Sequence, residues 1–345
     1  MKQRIIKENT ILLIPTCLLN NNLLKNSKTK LCLTDPHSIF GFILQFKNYF
    51  DIYFLLIGMR MMIKFRVIKL NYKLIFAFLI SILLFISICI YYNVKANNEP
   101  SIKIPIIMYH SILKSKSGDY IIHPDVLEKD LIYIKENGYE AITMADLIDY
   151  VYENKPLPNK SIIITFDDGH YNNLTYVVPL LEKYNMKAVI SIVGKYTDTY
   201  SESDETNPNY SYLRWKDINE LINSGIIEFQ NHTYDLHTLA SRKGSMKKYC
   251  ETKEHYSNVL SNDILKLQDA FKSNTNYVPN TFTYPFGAIS KDSFGIIKDL
   301  GFKASLSCEK GVNYITKDTE CLYLLKRNNR PSNISTEQFF KELLK

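Results

Sequence analysis

The sequence is poor in the features that mark several large functional classes. Its six cysteines form no Cys-x2-Cys or Cys-x3-Cys pair, which excludes a zinc-ribbon pattern and a disulfide framework. Cys250, Cys308 and Cys321 fall in the later part of the chain. Three is an odd number, so at least one stays unpaired; unpaired structural thiols are the simpler reading, and a Cys308–Cys321 bridge is left open. There is a single Trp, and despite a net charge of +7 there is no long run of Lys or Arg. That argues against a nucleic-acid partner, whose cations cluster on one face. No short-period repeat is present, and no His follows His255.

What is present divides unevenly. A chain of 345 residues, 46% hydrophobic and 22% charged, is ordinary for a globular protein and can bury a sizeable core, but the first hundred residues are far more apolar and basic than the rest. Residues 74–92, LIFAFLISILLFISICIYY, carry no charge. As a helix they extend roughly 28 Å at 1.5 Å per residue, close to the hydrocarbon thickness of a bilayer. Arg60, Lys64, Arg66, Lys69 and Lys73 precede this run with no acid among them, and only Lys95 and Glu99 follow closely. The positive-inside bias then places residues 1–73 in the cytoplasm and the later domain outside, on a single-pass helix in a bacterial membrane. A cleaved signal peptide is the competing reading, although no clear A-x-A site follows. The stretch 39–59 is interrupted by Lys47 and Asp51 and makes a poor second span. MMIKFRVIKLNYK followed by the apolar run reads as a membrane-anchor start, so translation is expected to begin at Met61 or Met62.

Residues 93–102 read as a linker containing Pro100, and 103–345 as one domain. Apolar runs at 104–110, 139–143, 161–166, 187–193, 226–230, 281–286, 302–307 and 322–326 alternate with helical stretches at 124–137, 144–154, 172–184, 213–225, about 250–272 and 290–300. A C-terminal helix opens at Ser335 or Thr336, and 196–210 reads as a polar loop. Continuous β-branched runs such as SIIITF suit strands buried on both faces of a parallel sheet. Seven or eight such units predict an α/β fold, a distorted (β/α) barrel with parallel strands, with a doubly wound open sheet as the alternative.

Four of the expected strands end in groups capable of chemistry: His110, Asp167-Asp168-Gly169, His232, and Pro285-Phe286-Gly287. In a parallel barrel these ends share one face. An isolated Asp-Asp-Gly is ordinarily a solvated turn, and a lone histidine pair is ordinarily surface. Here a buried run feeds straight into the acids. His232 and His237, five apart, fit a loop better than a helix, and two imidazoles with a carboxylate suit zinc, cobalt or a similar divalent ion. His123 reads as a loop or cap residue, His255 as solvent-facing, and Trp215 as core. His170 either lines the cleft or packs.

TFDDG (165–169), NHTYDLH (231–237) and TYPFG (283–287), in that order, resemble the three core motifs of the NodB-homology polysaccharide deacetylases, carbohydrate esterase family 4, over roughly 103–330. IPIIMYH (104–110) is similar to the start seen in the branch of poly-β-1,6-N-acetylglucosamine deacetylases. The resemblance implies a hydrolase that removes N-acetyl groups from an extracellular aminosugar polysaccharide. It implies Asp168, His232 and His237 as metal ligands, Asp167 as the general base toward a water at the metal, and His110 as the acid that protonates the leaving amine. The backbone near Phe286, with Pro285 and Tyr284, would line the cleft and the oxyanion position. The sequence departs from the family pattern at Thr283, where many members carry Arg, and in lacking a late Leu-x-x-His. Arg327 resembles a late arginine of the branch that orients Asp167. A peptidoglycan or other amide deacetylase on the same barrel, and a decayed glycan-binding protein, are the alternatives.

Overall fold

The computed structural model describes residues 72–97 and 101–345. Residues 1–71 and 98–100 lie outside that set, and with them the stretch 39–59, the Met61 or Met62 start and part of the expected linker. The chain divides into one unit ending at Ile90 and a second spanning Tyr91–Lys345.

The apolar run folds as one helix, α1 (Tyr72–Asn97). Residues 93–97, read above as linker, continue that helix because the first helix-breaking proline is Pro100. Phe76, Leu83 and Phe85 are 67%, 66% and 68% exposed. Among the described residues no helix is long and apolar enough to cross a membrane. The stretch whose side chains are described, 76–89, extends only roughly 21 Å at 1.5 Å per residue.

The second unit opens with β1 (Ile102–Ile104), β2 (Ile106–Tyr109), and the short parallel pair β3 (Ser111–Ile112) and β4 (Ile121–Ile122). Strands and helices then alternate: α2 (Pro124–Glu136), β5 (Glu140–Ile142), α3 (Met144–Tyr152), β6 (Ser161–Asp168), α4 (Val178–Tyr184), β7 (Ala188–Ile192), α5 (Gly194–Ser203), α6 (Trp215–Ser224), β8 (Ile227–Asn231) and α7 (Lys253–Thr275). The chain continues through β9 (Thr281–Thr283), α8 (Ser293–Asp299), β10 (Ala304–Leu306), β11 (Asn313–Ile315), β12 (Asn328–Asn329) and α9 (Thr336–Leu343). Local signals account for the helix starts. His123 caps α2 by accepting from the Asp125 amide, Thr143 and Asp146 form a capping box on α3, and Ser335 caps α9 by accepting from Gln338.

The main sheet runs β10-β9-β8-β7-β6-β2-β12, with β5 also on β6, and every pairing in it is parallel. It curls on itself. Leu325 makes a parallel bridge to Leu306 of β10 while Asn328 and Asn329 pair with β2, so 325–329 spans the gap between the two edges. The expected strand at 322–326 is this closing segment, preceded by a turn of 3-10 helix at Thr319–Leu322. β11 pairs antiparallel with β1 as a separate ribbon.

Period-two alternation decides what each strand does. Along β6, Ile162, Ile164 and Phe166 join the core beneath the helices, with Ile190 of β7 and Phe229 of β8. Ile163 packs with Val189, Ile106 and Leu306 in a second core on the other side of the sheet. The polar residues Thr165 and Asp167 share the parity of Ile163, so the inward column turns hydrophilic toward its C-terminal end.

The expected loop 196–210 begins instead with α5. Its composition, GKYTDTYSES, is a poor helix former, and tertiary contacts override it: the Gly194 and Lys195 amides donate to the Thr233 and Tyr234 carbonyls, and Thr197 is buried.

A fully buried ion pair ties the C-terminus to the barrel. Arg330 Nε donates to Asp130 Oδ2 at 2.8 Å, and Asp130 also accepts from Tyr109 Oη and Thr336 Oγ1. Asp130→Ala strands the Arg330 charge, and a loss of about 3–5 kcal/mol in unfolding free energy is expected in urea titration. A loss under about 1 kcal/mol would contradict this account of the pair.

Candidate active site

The C-terminal mouth of the sheet gathers the reactive side chains. Plain alternation would point Asp167 inward and Asp168 away. Asp168 instead adopts φ 71, a left-handed conformation that Asp tolerates better than most residues, and this turns its carboxylate back to the mouth. Gly169 follows at φ +75, where an added Cβ would stand 2.8 Å from Ile192 Cγ2. Only glycine fits both the backbone and the space.

Asp168 Oδ1 lies 3.6 Å from His232 Nε2 and 3.1 Å from His237 Nε2, and has no hydrogen-bond partner although buried. One ligand atom from each of the three residues lies within 4.8 Å of the others. His232 Nδ1 is 2.8 Å from the Thr283 carbonyl. A carbonyl only accepts, so Nδ1 carries the proton and Nε2 keeps its lone pair toward Asp168. Burial, together with the neighbouring His237, brings the His232 pKa down to about 4 despite the nearby carboxylates, so the ring is neutral at pH 7. Burial pushes the Asp168 carboxyl up, but the contacts with His170 and His237 prevail and hold it well below the usual range. A buried carboxylate oxygen facing two imidazole Nε2 atoms fits a divalent cation of the zinc or cobalt type.

Asp167 stands beside this group with a different partner. Arg327 grips it with Nη1 on Oδ1 at 2.6 Å and Nη2 on Oδ2 at 2.8 Å, and both residues are buried. Burial would raise the Asp167 carboxyl, yet the Arg327 charge outweighs it and keeps the group below its ordinary value. Arg327 is fixed in turn by the Ser307 carbonyl at 2.8 Å and Thr165 Oγ1 at 3.3 Å. Thr283, at the position where many members of the resembled family carry Arg, hydrogen-bonds Ser191 through its hydroxyl and orients His232 through its carbonyl.

His110 Nε2 lies 3.9 Å from Asp167 Oδ2, and its Nδ1 is buried without a partner. Burial lowers its pKa against the pull of both aspartates. His170 does both things open to it, with Nε2 3.4 Å from Asp168 Oδ2 and its ring stacked on Tyr212. Of the expected cleft trio only Phe286 presents its side chain, 37% exposed and 4.3 Å between centroids from His237. Tyr284 and Pro285 are buried instead. The Tyr284 ring packs against Phe282 and its hydroxyl bonds Ser293 Oγ at 2.9 Å, because strand alternation sends it into the core below α8.

The residues noted as bystanders behave accordingly. His255 is 64% exposed on its side chain, and Trp215 is buried with Nε1 on Asp198. Cys250, Cys308 and Cys321 are free thiols. Sequence reasoning missed the Thr283 carbonyl, Ser307, Thr165, Asn231 and Asp263. Asn231, Thr165 and Thr283 left a visible sign, as the residues opening NHTYDLH, TFDDG and TYPFG; Ser307 and Asp263 left none.

Fold and site together define an α/β-barrel protein whose reactive groups crowd the C-terminal mouth of a parallel sheet. Residues 154–305 match the family model described as polysaccharide deacetylase, the family whose motifs the sequence resembles. The poly-beta-1,6-N-acetyl-D-glucosamine N-deacetylase of Escherichia coli (strain K12) is 25% identical over 211 residues, 55% of this chain, and the chain spans 31% of that protein's length. The enzyme of the same name from Staphylococcus aureus (strain MSSA476) is 24% identical over 228 residues, covering 66% of this chain and 72% of that one. The solved structure of a de-N-acetylase from Aggregatibacter actinomycetemcomitans superposes with a TM-score of 0.59 at 22% identity, over 70% of this chain and 99% of that chain.

Proposed function

We propose that the protein is a metal-dependent N-deacetylase of an N-acetylglucosamine-containing polysaccharide, held at the outer face of a bacterial membrane by α1. The observation that carries this reading is the pairing of two carboxylates with opposite assignments. Asp168 faces two imidazole nitrogens, while Asp167 is turned to an arginine and stays free of them. The names of the relatives support the acetamide of a poly-N-acetylglucosamine as the group attacked. The anchor reading is supported by the uncharged 74–92 run in the sequence and by the cations before it.

Asp168, His232 and His237 would hold the ion. When bound, a divalent ion there supplies Lewis acidity and lowers the pKa of water. The chain's own residues do the rest. Asp167, kept ionised by Arg327, accepts the proton of the attacking water. Burial makes protonated His110 a stronger acid toward the leaving amine, and the two aspartates keep that form accessible. Phe286 flanks His237 where the sugar enters, and the adjacent backbone is the candidate oxyanion donor.

The test uses the full chain in detergent, stripped with a chelator and reloaded. Acetate release from β-1,6-linked N-acetylglucosamine oligomers is expected to vanish on stripping and to return with zinc or cobalt. Peptidoglycan and chitin oligomers, run in parallel, identify the polymer. Absence of acetate from all three polymers with either ion would refute the assignment.

A further inference from the structure

The three residues that follow His232 have no regular structure, yet their backbone is almost fully engaged. The Thr233 N–H donates to Asn231 Oδ1 at 2.9 Å. The Tyr234 and Asp235 N–H groups donate to the two oxygens of a single carboxylate, Asp263, at 2.7 and 2.9 Å. The Thr233 and Tyr234 carbonyls accept from Gly194 and Lys195 at 3.1 and 2.9 Å. Asn231 is itself tethered, its Nδ2 donating to the Ile264 carbonyl and to Gln268 Oε1, each at 3.2 Å. Asp263, Ile264 and Gln268 all belong to α7. Three successive amides between the two histidines are therefore held by one helix, directly or through Asn231.

Such holding has a physical reason. Thr233 has φ 74, a conformation costly for a β-branched residue and kept only where surroundings over-determine it. We propose that Asp263 is a positioning residue: by accepting both amides it sets the separation and aim of His232 and His237, so that α7 clamps the ligand pair. This rests on the metal reading above. A carboxylate suits the task because it offers two acceptor oxygens to two donors, whereas an amide offers one oxygen and turns a competing N–H toward the second.

The experiment compares full-length wild type with Asp263→Ala, Asp263→Asn and, as a control on the same helix, the exposed Asp269→Ala. Two readouts are taken: hydrogen exchange of the 232–237 amides in metal-free protein, and zinc and cobalt affinity by competition with a chromophoric chelator. Asp263→Ala is expected to speed exchange and to weaken both ions about 10–100-fold, with an altered visible spectrum of the cobalt form. Asp263→Asn should fall between, and Asp269→Ala should match wild type. Wild-type affinity in Asp263→Ala, with or without faster exchange, overturns the clamp. If wild type takes up neither ion the metal reading fails, and unchanged exchange in Asp263→Ala then shows separately that the loop is not held by this carboxylate.

Discussion

Asp167→Asn is expected to lower acetate release by about 10³-fold while zinc or cobalt uptake stays at the wild-type level. The amide is isosteric but accepts no proton from water, and because it offers Arg327 one oxygen and turns an NH2 toward the other guanidinium N–H, some loss of stability is expected alongside. Metal uptake is predicted to persist because the candidate ligand atoms belong to Asp168, His232 and His237, none of which contacts Arg327 in place of Asp167. The two readouts have to separate. Turnover within about threefold of wild type would remove Asp167 from the base role, and loss of the ion along with activity would mean that both carboxylates serve as ligands.

Arg327→Met should produce the second large effect, and its signature is a pH shift. In wild type the guanidinium holds the Asp167 carboxyl below its ordinary value of about 3.9. The pair's contribution to stability is thus complete above that value and is lost only as pH falls through the lower, folded one. With methionine in place, burial remains and its opponent is gone, so the carboxyl moves up. The acid limb of kcat/KM against pH should shift to higher pH, and stability at pH 7 should fall by about 3–5 kcal/mol, as for breaking a buried ion pair. Near pH 4 the deficit should shrink, because a protonated Asp167 has less need of a counter-charge. An unmoved acid limb would show that Arg327 does not set the ionisation of Asp167.

Much of this arrangement was legible in the residues themselves. SIIITF announces β6, and its parity sends Asp167 inward. Pro124, Ser335 and the Gly225 stop mark their helices because caps and stops are local chemistry. The convergence of His110, Asp167, Asp168 and His232 followed from one topological rule about parallel strands. What was hidden depended on contacts between distant segments. α5 forms from a sequence with weak helical preference because the 233–234 backbone receives its first amides. Asp168 reaches the mouth only through a left-handed backbone that the letters Asp-Asp-Gly permit without requiring. Tyr284 sits two residues from Phe286 in one motif yet packs under α8 beside Phe282, because the strand ends at Thr283 and Phe286 takes a left-handed φ of 56 that breaks the alternation. Asp263 lies about thirty residues from the loop it holds, on a helix whose sequence gives no hint of which face meets that loop.

The segment that joins the two sheet edges also carries Arg327, one residue ahead of the Asn328–Asn329 pairing with β2. That placement ties the charge state of Asp167 to the closure of the sheet: a lesion that unseats 325–329 takes away the carboxylate's counter-ion without altering Asp167, Asp168, His232 or His237 themselves.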